Sequence, residues 1–160
     1  MILIKTADEI ELLRQSNQLV STTLAELAKY IKPGVSTERL DQIAEAFIRD
    51  HGAVPGFLHY QGYPKTLCTS VNSEVVHGIP SDKVILQEGD QLSVDCGVIM
   101  DGFYGDSAFS FEVGEVSADL RRLLDTTREC LRLGMEQAVE GKRVGDIGYA
   151  VQQHAESNGY

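Results

Sequence analysis

The stretch Gln91-Leu92-Ser93-Val94-Asp95-Cys96-Gly97-Val98-Ile99-Met100-Asp101-Gly102-Phe103-Tyr104-Gly105-Asp106-Ser107-Ala108-Phe109-Ser110-Phe111-Glu112-Val113 decides the fold. Two β-prone runs of alternating hydrophobicity flank Asp101-Gly102, a dipeptide that tolerates the positive φ angles of a tight turn, so the pattern predicts an antiparallel hairpin. A two-residue loop at Asp101-Gly102 sets Gln91 opposite Glu112. A four-residue loop one position earlier sets Gln91 opposite Ser110. In both registers the even-numbered residues of the first strand share a face with the odd-numbered residues of the second, because side chains alternate along a strand. Leu92, Val94, Cys96 and Val98 then join Phe109, Phe111 and Val113 on an apolar face, and Ser93, Asp95, Asp106, Ala108 and Ser110 occupy the other.

Asp95 and Asp106 therefore stand directly or diagonally opposite each other, roughly 5 to 8 Å apart, with no Lys or Arg in the hairpin to pair with them. Like charges this close are costly unless one takes a proton or a cation sits between them. Carboxylate oxygens suit hard or borderline divalent ions, and two bridging carboxylates suit a two-ion site. The other reading is a solvated pair on the wet side of an antiparallel sheet.

Two helices are expected before the hairpin. Thr6-Ala7-Asp8-Glu9 is a capping-box pattern, and Ile10, Leu13, Val20, Leu24, Leu27, Ala28 and Ile31 recur at helical spacing until Pro33-Gly34. A second helix is expected from about Ser36 to Asp50, with Leu40, Ile43, Ala44, Phe47 and Ile48 inward. Residues 53 to 65, rich in Gly, Pro and aromatics, predict a loop. Short β-prone runs follow at Thr66 to Val71 and Glu74 to His77, with a turn at Glu88-Gly89-Asp90. After the hairpin a third helix is expected from about Ser117 to Val139, with Leu120, Leu123, Leu124, Leu131 and Ala138 inward, and a fourth from about Val144 to Ser157. Helices, then strands, then helices is the order of an α+β fold with a mainly antiparallel sheet.

At 160 residues the chain is the size of one domain, and 42% apolar with 24% charged residues is an ordinary globular composition. The net charge of −10 leaves no broad positive field, so no nucleic-acid partner is expected. No apolar run is long enough to span a membrane and Met1-Ile2-Leu3-Ile4-Lys5 is too short for a signal peptide, so the expected location is the cytoplasm. Cys68, Cys96 and Cys130 fit neither a disulfide framework nor a zinc knuckle and are expected as reduced thiols.

His77 ends an apolar run before Gly78-Ile79-Pro80, where a lone histidine is more often an edge or core residue than a catalyst. It gains a role only if it points at the aspartates' pocket, where an imidazole can hydrogen-bond a substrate carbonyl or amide. Phe57, Tyr60, Tyr63 and Cys68 either anchor a loop or line an apolar, polarisable pocket over the carboxylates. No Gly-rich phosphate cradle or basic cluster accompanies the pair, which argues against phosphate ester chemistry.

Tyr60-Gln61-Gly62-Tyr63-Pro64-Lys65, Cys68, Asn72, Val75-Val76-His77-Gly78-Ile79-Pro80, Glu88-Gly89-Asp90, Asp95 and Asp101-Gly102-Phe103-Tyr104-Gly105-Asp106, in this order and spacing, resemble the type I methionine aminopeptidase family. The resemblance runs over essentially the whole chain. It implies the pita-bread fold, two pseudo-symmetric αβ halves around a dinuclear site, of which residues 1 to 160 make about the first half within a single catalytic domain. It further implies Asp95 and Asp106 as metal ligands, His77 as a catalytic and substrate-binding residue, and Tyr63 and Cys68 as lining for a methionine side chain. Two divalent ions (Co, Mn, Fe or Zn) are the implied cofactors, and N-terminal methionyl peptides, met at the ribosome, the implied partners.

The implied activity is removal of the initiator methionine from nascent proteins by a metal-bridged hydroxide. In the family, a further stretch after a phrase like Glu156-Ser157-Asn158-Gly159-Tyr160 carries a histidine and two glutamates that complete the ligand set. A chain truncated at that point is expected to be inactive by itself. The alternative is a non-catalytic pita-bread fragment or binding module, a reading that retention of both aspartates disfavours.

Overall fold

The computed structural model describes residues 3–160; Met1 and Ile2, the start of the opening apolar run, lie outside the described residues. The chain divides into two compact units, Met1–Val116 and Ser117–Tyr160.

In the first unit, helix α1 (Ala7–Ala28) starts at the capping box: the Glu9 amide donates to Thr6 Oγ1 at 3.3 Å and the Thr6 amide to the Glu9 carboxylate at 2.8 Å. Its buried face is Ser16, Leu19, Val20, Thr23, Leu24 and Leu27, whereas Ile10 and Ala28, expected inward, are exposed. Helix α2 (Thr37–Asp50) is capped by Ser36 and buries Leu40, Ala44 and Ile48 together with a charged residue, Asp41. Strands β1 (Val54–Pro55), β2 (Leu67–Val71), β3 (Gln91–Met100) and β4 (Phe103–Glu112) form one antiparallel sheet in which β3 pairs with all the others.

The hairpin takes the two-residue loop, with Gln91 opposite Glu112, Met100 opposite Phe103, and Asp101 and Gly102 at φ 50° and 80°. Leu92, Val94, Cys96 and Val98 are fully buried, joined by Val113 and the partly buried Phe111; Phe109 stays half exposed. Both helices lie on this face. Burying it is the main stabilising contribution, at about 25 cal/mol per Å² of apolar surface. The opposite face, carrying Asp95 and Asp106, is left without a helix from this unit.

The run Glu74 to His77, expected as a strand, is irregular coil with a bend at Val76, following a turn at Asn72 and Ser73. The cause lies at Asn72, whose φ of 53° turns the chain away from β2 while its side chain donates to Asp90 and accepts from the Gln91 amide. Val75 and Val76 are left pointing outward, 85% and 63% exposed.

The second unit is a helix pair, α3 (Ala118–Glu136, capped by Ser117) and α4 (Val144–Ser157). Thr126, Cys130 and Gly134 are the buried residues of α3, while Leu123 and Leu131, expected inward, are exposed. Gly134 contributes to this packing: a Cβ there would sit 3.1 Å from Val151 Cγ2 and 3.5 Å from Ile147 Cγ2, so side chains of α4 rest where α3 lacks one. Cys68, Cys96 and Cys130 are free thiols.

Candidate functional site

The site is built on the uncovered face of the sheet. Across β2, β3 and β4, Cys68 faces Asp95 and Asp95 faces Ala108; one step along, Gly97 faces Asp106. Asp95 and Asp106 are therefore diagonal neighbours on one face, with Cys68 beside the first of them. Burial, then the charge of Asp106 and a hydrogen bond with it, raises the Asp95 carboxyl above the ordinary carboxylate range, while the His77 imidazole pulls the other way. A half-buried acid pushed toward its neutral form by a second acid is the electrostatic situation a cation relieves.

The wall around these carboxylates comes from the loop before β2. After the short 3₁₀ turn Tyr60–Gly62 the chain presents Tyr63, whose hydroxyl donates to the Leu67 carbonyl at 2.8 Å and lies 3.3 Å from that of Gly78. Burial, reinforced by Cys68, raises this phenol, so Tyr63 stays a neutral donor. The Cys68 thiol is also raised, by burial and by Asp95 and Asp106, against a hydrogen bond from Tyr63. A protonated thiol is neither nucleophile nor metal ligand, so Cys68 contributes a small polarisable surface. Cys96, on the core side, is pushed up to about 12 by burial.

His77 reaches the same space by an irregular route. Its own φ is 59°, in the left-handed region where a β-carbon is disfavoured, and the next residue is tied to β2 on both sides. The Thr69 amide donates to the Gly78 carbonyl at 2.8 Å and the Gly78 amide to Ser70 Oγ at 3.2 Å. The strained turn directs the imidazole over the carboxylate face. All five residues singled out from the sequence, Tyr63, Cys68, His77, Asp95 and Asp106, line one cavity of about 600 Å³, with Phe57, Tyr60 and Ile79 beside them.

Two positions were not singled out. Asp41, 4% exposed, accepts the amides of Thr66 and Leu67 at 2.9 and 2.8 Å and so fixes the start of β2 beneath Tyr63. Burial raises its carboxyl to about 6 despite these bonds and nearby Lys65, itself paired with Glu38. The other is Gly97, against which the Phe57 ring rests.

Among the described residues no group of three or more His, Cys, Asp or Glu side chains is placed to hold a metal ion. The donor chemistry nevertheless fits: two oxygen ligands on one face, with no basic residue in the hairpin, match a divalent ion that takes further ligands from elsewhere.

The model of metallopeptidase family M24 matches residues 11–160. A methionine aminopeptidase of Clostridium acetobutylicum is 48% identical over 160 residues, all of this chain and 64% of the relative. Methionine aminopeptidase 1 of Bacillus subtilis is 45% identical over 98% of this chain and 63% of its own length. The crystal structure of methionine aminopeptidase from Rickettsia prowazekii superposes with a TM-score of 0.97 at 40% identity, covering 100% of this chain and 64% of that one. The chain thus spans somewhat under two thirds of the relatives it matches.

Proposed function

The chain belongs to metallopeptidase family M24 and has its α+β pita-bread fold, and we propose that it is part of a metal-dependent aminopeptidase that removes the initiator methionine from nascent proteins. The observation that carries this reading is the meeting of two carboxylates, an imidazole and an aromatic and sulfur-lined cavity on one sheet face.

Asp95 and Asp106 would hold a pair of divalent ions together with ligands from outside this chain. When bound, such ions supply Lewis acidity toward a scissile carbonyl and activate water as a nucleophile. The remaining roles belong to the chain's own side chains. Phe57, Tyr63 and Cys68 receive an unbranched thioether side chain, for which aromatic rings and a neutral thiol are favourable partners worth about 0.3 to 1.5 kcal/mol per sulfur–aromatic contact. The acidic face attracts the free α-amino group of the peptide. The His77 imidazole, held by the strained turn at 77–78, hydrogen-bonds the carbonyl or amide next to the bond being broken. Tyr63, neutral and already donating to Leu67, shapes the cavity and moves no proton.

We place this activity in the cytoplasm, at chains leaving the ribosome; no helix among the described residues is long and apolar enough to cross a membrane. The test is to assay the protein at its natural length, loaded with Mn²⁺ or Co²⁺, for release of free methionine from Met-Gly-Met-Met. Release that needs metal and a free α-amino group is expected. Absence of release, or equal cleavage of the N-acetylated peptide, would contradict the assignment.

A further inference from the structure

Gly97 sits in the middle of the site face, directly opposite Asp106 and two residues from Asp95. A Cβ added there would lie 2.5 Å from Phe57 Cε1, 3.0 Å from Cδ1 and 3.1 Å from Cζ. The Phe57 ring is thus seated on bare backbone, in space that any other residue at 97 would claim. The seat is fixed from below. Pro55 pairs with Val98, the Gly56 amide donates to the Gly97 carbonyl at 2.7 Å, and a Cβ on Gly56 would lie 3.0 Å from the Gly97 carbonyl carbon. Two glycines let the chains cross in contact, and the next side chain along falls on Gly97.

The loop cannot withdraw without breaking that pairing. Carbon atoms pack at about 3.5 to 4.0 Å, so a methyl group at 97 displaces the ring by about 1 Å or more. Phe57 also borders the cavity that holds Tyr63, Cys68 and His77, so ring displacement changes the cavity's shape.

We propose that Gly97 is a specificity-determining residue that acts through Phe57: the bare backbone at 97 holds the ring back and leaves the cavity long enough for an unbranched side chain of methionine's length. This inference rests on the aminopeptidase reading, because it takes the cavity to receive the first side chain of the substrate.

The test compares wild type, Gly97→Ala, Phe57→Leu and the double variant, all at natural length. Peptides carrying Met, 2-aminobutyrate or Leu at the N-terminus, otherwise identical, are assayed with kcat and KM separated. Folding is checked by circular dichroism, and ring position is followed in the substrate-free protein by NMR of ¹³C-labelled phenylalanine. Gly97→Ala should lower kcat/KM for the Met peptide by about 10-fold or more, mainly through KM, and lower it less for 2-aminobutyrate; pockets discriminate by about 10- to 200-fold per methylene. The Phe57 resonance should shift in the same variant. Phe57→Leu should move preference toward Leu, and the double variant should recover most of the Met activity lost in Gly97→Ala.

Equal losses for all three peptides, or an unshifted Phe57 resonance, would overturn the inference, leaving Gly97 a mere crossing point of two strands. If Gly97→Ala fails to fold, Phe57→Leu decides alone, and unchanged preference in it overturns the proposal. No release of methionine by wild type refutes the aminopeptidase reading instead, so the two failures are told apart.

Discussion

The amide of Leu67 donates to Asp41 Oδ1 at 2.8 Å, and the carbonyl of the same residue receives the Tyr63 hydroxyl at 2.8 Å. A buried acid on α2 is thereby linked through one residue of β2 to the wall of the site. The two amides it holds, those of Thr66 and Leu67, have lost water by burial, so removing their acceptor exposes the full cost of unpaired donors. Asp41→Ala should destabilise the protein by roughly 2 to 5 kcal/mol in urea denaturation. A loss under 1 kcal/mol would mean the two bonds carry little.

Asp41→Asn keeps the Oδ1 acceptor and removes the charge, which gives a pH test. The Asp41 carboxyl rises from an ordinary 3.8 to about 6 on folding, so the folded state holds the proton more tightly than the unfolded chain. Its contribution to stability is fully present below about pH 4 and is lost as pH rises through about 6, an amount of roughly 3 kcal/mol. The stability of Asp41→Asn relative to wild type should therefore improve between pH 4 and 7. A difference that stays flat over this range would contradict the assigned shift.

His77 has a left-handed backbone, the Gly78 that follows it is tied to Thr69 and Ser70, and its side chain lines the same cavity as the two carboxylates. At natural length, His77→Ala should lower turnover by about 10² or more with metal content unchanged, as expected for a group that aids the transition state. Metal lost along with turnover, measured by elemental analysis, would move His77 into the ligand set.

The isolated polypeptide of residues 1–160 should bind Mn²⁺ weakly and release no methionine. As metal ligands Asp95 and Asp106 would fill only a few coordination positions, and tight two-ion sites need further ligands to fix geometry. Micromolar binding of two ions with turnover by this polypeptide would mean the ligands have been misplaced.

The hairpin was legible because three local signals agreed: alternation in both runs, Asp101-Gly102 between them, and an apolar set that stays on one face in either register. Either register puts Asp95 and Asp106 on one face, and the observed one makes them diagonal neighbours. The same reasoning failed at Glu74 to His77, since the bonds of Asn72 to Asp90 and Gln91, 18 and 19 residues away, override the β propensity of Val75 and Val76. On α3 the leucine pattern was only partly informative: Leu120 and Leu124 are half-buried and Leu123 and Leu131 exposed, because α4 packs against the bare backbone of Gly134. Asp41 was invisible for a related reason: in a helical pattern a carboxylate reads as a solvent-facing residue, and its partners, Thr66 and Leu67 at the start of β2, are known only once the chain has folded. The seat of Phe57 on Gly97 is likewise a contact between segments 40 residues apart in number, with no local signature.

On the proposed function, Asp95 and Asp106 together hold the metal on which the activity depends. The most direct measurement is Mn²⁺ titration by calorimetry of the natural-length protein, beside Asp95→Asn and Asp106→Asn, with methionine release assayed on the same samples. Wild type should bind Mn²⁺ and release methionine, and each substitution should weaken metal binding by about 10- to 100-fold or more and abolish release. Either variant binding metal as wild type does while still releasing methionine would contradict it.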